Sequence, residues 1–280
     1  MKKNTKVCLW ITLGMTVLGL FLIVIGIAVG GAETFSKGLQ RIGSINCDFG
    51  DFFGSHNGRE QHNGESSDYS ISQDRVQDIE ITIKMYALKI IPYSGDEIQV
   101  HFEHTNRNQD FSCKVENGTL LIEETTLNHT MNFNEHGTAS IYIPEGKQFD
   151  DVEITVNVGA VNIKDTLFCN TMSINVDAGQ LIAENIKVTE LELENGTGEA
   201  EISGSISGDL DADCGVGTVT LDIKGNEKDH NYSVECGIGS VSIDSNKYTA
   251  LSNETEIDNG ADSDYVISCG VGEVKLNFHE

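Results

Sequence analysis

The C-terminal half of the chain is periodic. Six phrases align on a shared glycine: Ile154-Thr-Val-Asn-Val-Gly159, Ile174-Asn-Val-Asp-Ala-Gly179, Leu193-Glu-Asn-Gly-Thr-Gly198, Ala212-Asp-Cys-Gly-Val-Gly217, Val234-Glu-Cys-Gly-Ile-Gly239 and Ile267-Ser-Cys-Gly-Val-Gly272. The first five follow one another about 20 residues apart, and the sixth comes after an insertion between Ser245 and Asp264. Polar and apolar residues alternate after each glycine, as in Thr218-Val219-Thr220-Leu221. A fixed period of this length means stacked supersecondary units, none of which can bury its apolar face alone. The expected fold is therefore all-β, a β-solenoid of roughly 20-residue rungs, with a β-sandwich as the alternative.

In a solenoid, equivalent residues of successive rungs lie about 4.8 Å apart, so each aligned column becomes a physical stack. Three columns read as inward-facing: Ile154, Ile174, Leu193, Ala212, Val234 and Ile267; Val161, Leu181, Ala200, Val219, Val241 and Val274; Ile163, Ala183, Ile202, Leu221, Ile243 and Leu276. Burying each such side chain contributes roughly 1.5–3 kcal/mol. The glycines Gly159, Gly179, Gly198, Gly217, Gly239 and Gly272 mark corners where φ is positive or no Cβ fits. From residue 145 onward there is no proline, as an unbroken ladder requires.

A further inward column reads Val156, Val176, Asn195, Cys214, Cys236 and Cys269. A linear stack of thiols offers no fourth tetrahedral ligand, so zinc is not indicated. Cys214, Cys236 and Cys269 read as small buried apolar residues in place of valine, with a disulfide between two neighbours geometrically permitted. Seven cysteines do not make a disulfide framework.

The outward column holds Thr155, Asn175, Glu194, Asp213, Glu235 and Ser268, and Asp209, Asp211 and Asp213 share one strand face. Glu194, Asp209, Asp211, Asp213 and Glu235 form a candidate calcium ridge, since that ion accepts many oxygens in loose geometry. A solvated acidic face is the competing reading, and the nonapeptide calcium repeat is missing from the sequence. No catalytic constellation and no cofactor motif emerges. Carboxylate pairs are uninformative in so acidic a chain, and His101, His104, His129 and His136 lack a serine elbow or a His-Glu-x-x-His phrase.

Val7 to Val29 is an uncharged run of 23 residues, enough to span a bilayer. Lys2, Lys3 and Lys6 precede it, which orients the N-terminus to the cytoplasm and the remainder outside. A cleaved signal peptide is the alternative, although its apolar core is usually shorter. Beyond residue 32 the chain carries 15 basic against 44 acidic residues, a formal charge of −29, which repels nucleic acid and anionic lipid. The expected organisation is a cytoplasmic tail over 1–6, a transmembrane helix over 7–29, and a flexible linker over 33–77. An irregular β region over 78–150 and repeated rungs over 151–280 follow. Strand patterning begins at Ile79-Glu-Ile-Thr-Ile83 and Leu88 to Ile91, with turn signals at Pro92, Asn117-Gly118 and Pro144-Glu-Gly146.

A lysine-rich start, one anchor, a linker, an opening strand pair and then Val/Ile-x-Cys/Val-Gly-x-Gly-x-Val-x-Ile rungs resemble a bacterial family. It is the putative adhesin family with β-strand repeats, a domain of unknown function, and the likeness covers about residues 79 to 278. The resemblance implies a β-solenoid-like ectodomain at the cell envelope and no catalytic motif. The leading expectation is a non-enzymatic, single-pass surface protein presenting an acidic solenoid to a wall component, another cell or a membrane protein. A sensor of envelope stress acting through a membrane partner is the second, and a polysaccharide-active enzyme the third.

Overall fold

The structure, a computed structural model, describes residues 66–103, 109–126, 137–165, 167–249 and 255–279, all within one compact unit, His56–Glu280. The expected tail, transmembrane helix and residues 33–65 of the expected linker lie outside the described residues. Among the described residues no helix is long and apolar enough to cross a membrane.

In chain order the N-terminal strands are β1 (Ser66–Ser72), β2 (Asp78–Ile83), β3 (Ala87–Tyr93), β4 (Glu97–Glu103), β5 (Gln109–Glu116), β6 (Thr119–Thr126) and β7 (Thr138–Pro144). Then come β8 (Gln148–Ile163), β9 (Phe168–Ile206), β10 (Leu210–Lys224), β11 (Asn231–Ile243), β12 (Asn246–Tyr248), β13 (Thr255–Ile257) and β14 (Asp264–His279). All belong to one hydrogen-bonded sheet that winds as a parallel solenoid between antiparallel ends. Residues 66–72, expected as linker, are a strand instead. β1 pairs antiparallel with β4, Tyr69 opposite Val100, and Tyr69 packs edge-on against Phe102. A Ser- and Asp-rich edge strand has little local signal, and its partner supplies the order.

The central rungs follow the sequence. β8 pairs in parallel with β9, Gly159 opposite Gly179, and β9 pairs with β10, Gly198 opposite Gly217. β9 spans 39 residues because its chain bends at Gly179 and Gly198 without breaking its ladder. At each corner glycine φ lies between +141° and +159°, and a Cβ would strike the neighbouring rung. At Gly179 it would sit 1.8 Å from the Gly159 carbonyl oxygen, and at Gly198 1.9 Å from that of Gly179. The corners thus stack carbonyl against glycine, which only a bare Cα permits. The three aliphatic columns are buried, from Ile154 and Val161 through Ile202 to Leu276.

The last two rungs do not follow the sequence. β14 pairs in parallel with β10 on one edge, Gly272 opposite Gly217, and with β11 on the other, Gly272 opposite Gly239. The sixth repeat is inserted between the fourth and the fifth, so the chain-order stacking expected from the repeat is corrected here. The connection from β10 to β11 passes through a short 3-10 turn, Glu227–Asp229, and steps over one rung position. The following insertion carries β12 and β13, both antiparallel to β11. They cover its outer edge, which would otherwise invite pairing with another chain. The aromatic residues of β14 favour the inner place. Tyr265 is fully buried, its ring stacked 4.0 Å from His230 of the connection, with Phe278 5.5 Å from the same imidazole.

The opposite end repeats the device. β2 and β3 both lie along β8, Ile81 opposite Ile154 and Leu88 opposite Val161. The later strands β6 and β7 pair on their outer edges, and antiparallel β5, β4 and β1 close the end. Phe102 and Phe111 stack there at 4.1 Å, with Tyr86 edge-on to Phe111. Bulky rings therefore fill the two ends, whereas the inward columns of the middle rungs hold aliphatic and thiol side chains and the amide of Asn195.

Candidate binding site

Strand alternation decides which side chains face water. On the side preceding each corner, Glu192 and Glu194 of β9 point outward beside Asp211 and Asp213 of β10, with Glu192 opposite Asp211 and Glu194 opposite Asp213. The next rung is β14, which sets Val266 opposite Asp211 and Ser268 opposite Asp213. Glu235 of β11 faces Ser268, so the inserted rung separates it from Asp213. The Glu194–Asp213–Glu235 stack expected from chain order is thus interrupted by Ser268.

Near the start of these strands a cavity of about 300 Å³ opens between the rungs. Five carboxylates line it, those of Glu190, Glu192, Asp209, Asp211 and Asp264, above an apolar floor that includes Leu191, Leu210 and Val266. No basic side chain joins the lining. Val266 is 40% exposed, so part of this apolar surface meets solvent. Asp209 Oδ1 accepts a hydrogen bond from the Asp264 backbone N–H at 2.9 Å, tying β14 to the corner before β10. Partial burial, with Glu192 and Asp213 beside it, pushes the Asp211 carboxyl above the usual carboxylate range. A cation entering the cavity would relieve that repulsion. Each carboxylate pair at rung spacing repels by on the order of 1 kcal/mol in water, less after salt screening.

The candidate calcium ridge is divided by this arrangement. Asp209 and Asp211 line the cavity, Glu194 accepts from Asn175 Nδ2 at 2.9 Å, and Asp213 and Glu235 lie on rungs separated by Ser268. Among the described residues no group of three or more carboxylate, imidazole or thiol side chains is arranged to hold a metal ion.

The cysteine column is also reordered. Cys269 of β14 sits opposite Cys214 of β10 and opposite Cys236 of β11, so Cys214 and Cys236 are not neighbours. All three are buried and free. Burial pushes the Cys269 thiol up to about 12 and raises that of Cys214. Thiols held protonated in this way are poor nucleophiles and poor metal ligands. Asn195, in the same column, is buried, with Oδ1 unpartnered and Nδ2 donating to the Gly198 carbonyl at 3.4 Å.

His101 and His230, among the described residues, make structural contacts. His101 pairs on the surface with Asp68 and, at 3.7 Å, with Glu103. His104, His129 and His136 lie outside the described residues. His230 meets Ser263 Oγ through Nδ1 at 2.6 Å, and that hydroxyl lies 3.3 Å from the Asp229 carbonyl as its donor. Both side chains are buried in the joint that admits β14.

Two features escaped the sequence pattern. Glu124 of β6 is buried at the β2–β3 corner, where its Oε2 accepts the backbone N–H groups of Lys84 and Met85 at 2.7 and 2.9 Å. It serves a rung whose corner lacks the shared glycine, and nothing local distinguishes it from other surface glutamates. The residues between paired glycines, Val216, Val271 and Ile238, form an exposed aliphatic edge, 45–66% accessible, in that spatial order. Their outward direction follows from the corner, and the Gly-x-Gly spacing is the signal that could have marked it.

Residues 76–213 match a family model described as Toastrack DUF4097. No curated protein sequence matches the chain. Similar solved structures include a "putative cell adhesion protein" from Clostridium sporogenes ATCC 15579, 11% identical with a TM-score of 0.45, covering 78% of this chain and 100% of that one. A "putative adhesin" from Bacteroides fragilis NCTC 9343 is 13% identical with a TM-score of 0.35, over 77% of this chain and 97% of that one. A "putative lipid binding protein" from Parabacteroides distasonis ATCC 8503 is 12% identical with a TM-score of 0.34, over 76% and 97%.

Proposed function

We propose that this chain, whose residues 76–213 match the Toastrack DUF4097 model, is a non-enzymatic, membrane-anchored surface protein whose rigid acidic solenoid binds cationic ligands at the cell envelope. Anchoring rests on the apolar run Val7 to Val29, with the domain outside the cell. One observation carries the ligand class. Five carboxylates converge on a cavity with an apolar floor and no lining cation, and burial already disfavours the charge of Asp211. A lysine- or amine-bearing group with an alkyl stem matches both halves of that lining, since such stems rest on apolar surface while the charge stays paired. Rigidity matters because a parallel ladder holds its outward side chains at fixed spacing and orders few groups on binding.

Titration of the full-length protein with an oligolysine peptide tests the reading. Binding should weaken steeply as salt rises, and Glu192→Gln/Asp209→Asn/Asp211→Asn should weaken it at least about tenfold, the loss of one to two charge-assisted contacts. Unchanged affinity in the triple variant would refute the site.

A further inference from the structure

A second concavity, of about 130 Å³, lies on another side of the same rungs, lined by Asn185, Ile186, Lys187, Gly204, Ser205 and Lys224. Its polar groups come from successive turns of the solenoid. Gly204 lies against Ile186, where a Cβ would fall 2.0 Å from the Ile186 carbonyl oxygen, and it pairs with Ile223 on the next rung. Lys187, Ser205 and Lys224 each follow one of these three residues, so they occupy equivalent outward places on three neighbouring rungs. Lys224 is in turn opposite His279 of β14. The two lysines flank the serine at about 4.8 Å on either side, measured between backbones.

Charge makes this dent unlike the rest of the surface. The chain has 44 acidic and 18 basic residues, yet no carboxylate is among the lining residues. Lys114, Lys247 and Lys275 form ion pairs, whereas among the described residues neither Lys187 nor Lys224 does. Lys187 is positioned instead by the Phe168 ring, with Nζ 4.9 Å from its centroid. Asn185, held at φ +55°, adds a side-chain amide to the rim. The volume equals that of about four waters at roughly 30 Å³ each, which suits one tetrahedral oxyanion. Two ammonium groups, a hydroxyl and an amide provide the donors that such an ion takes.

We infer that the Lys187–Ser205–Lys224 dent binds a tetrahedral oxyanion, the phosphate or sulfate ester of an envelope polymer or lipid headgroup. The inference stands apart from the cationic-ligand reading, since it uses a different cavity. Repulsion from the net acidic surface is screened over about 8 Å at physiological salt, so inside the dent the two lysines dominate.

Site-resolved acylation of lysines in the full-length protein tests it. The three probes are inorganic phosphate, a soluble polyglycerol-phosphate oligomer, and phosphatidylcholine vesicles containing phosphatidylglycerol. A saturating effective probe should slow acylation of Lys187 and Lys224 about tenfold relative to Lys164 and Lys228, and Lys224→Gln should raise the half-protecting concentration at Lys187 about tenfold. The probe that protects identifies whether the oxyanion is free, polymer-borne or lipid-borne. Slowing spread evenly over all four lysines, no slowing with any probe, or protection of Lys187 unchanged in Lys224→Gln would each overturn the inference.

Discussion

Gly272→Ala tests the inserted rung most directly, because its neighbour is known only from the fold. A Cβ on Gly272 would lie 1.9 Å from the Gly217 carbonyl oxygen, and φ there is +142°. That oxygen must retreat by about 1.5 Å to reach ordinary contact at 3.4 Å. Gly225 separates the two contributions. Its φ is +136°, but nothing lies within 4 Å of the point where an alanine methyl would stand. Gly225→Ala therefore carries the backbone strain alone, about 1–3 kcal/mol. Gly272→Ala adds overpacking of a tight stack, about 1–3 kcal/mol more, for a total of roughly 2–6 kcal/mol. At about 2–4 °C per kcal/mol for a domain of this size, thermal unfolding followed by far-UV circular dichroism should separate the variants by several degrees. Equal lowering of Tm by both substitutions would refute the carbonyl-on-glycine stack at this corner.

Three further outcomes are expected. Thr218 faces Glu273 and Ser240 faces Glu273 across β14. In a background whose native cysteines are alanine, Thr218→Cys/Glu273→Cys should therefore oxidise to a disulfide. Thr218→Cys/Ser240→Cys should not, since two rungs separate the backbones by about 9.6 Å, beyond the bridging range; the opposite result would restore chain-order stacking. Asn195→Val should stabilise the domain by about 1–3 kcal/mol in urea unfolding, because it removes a buried unpartnered carbonyl and restores the residue found at Val156 and Val176. A loss of stability would show that the Asn195 amide contact to Gly198 outweighs that penalty. Burial holds the His230 imidazole below its ordinary value, against the opposing pull of Asp229, in a joint shared with Tyr265 and Ser263. The unfolded chain then binds a proton near pH 6.5 that the folded chain binds only at lower pH, so this group removes stability as pH falls below about 6.5. Raised Asp211 opposes the trend, so the measured quantity is the difference between the protein and His230→Asn; identical pH dependence of their urea midpoints would exclude the effect.

The repeat by itself determined the unit of construction. Its alternation assigned Ile154, Val161, Ile163 and their equivalents to the interior, and the shared glycines to corners, because a strand has period two and a corner with positive φ excludes a Cβ. It also determined an acidic outer face and left the thiols of Cys214, Cys236 and Cys269 in an apolar column. Only the tertiary structure decided the axial order. Every repeat presents the same in-register edge to its neighbours, so β14 could pair equally well beside several rungs as far as its own residues show. The choice fell to contacts made far along the chain: Tyr265 and Phe278 against His230, and β12 and β13 over the free edge of β11. The same holds for the two cavities, whose carboxylates and lysines come from separate turns and meet because parallel pairing brings residues 18 to 55 positions apart into register.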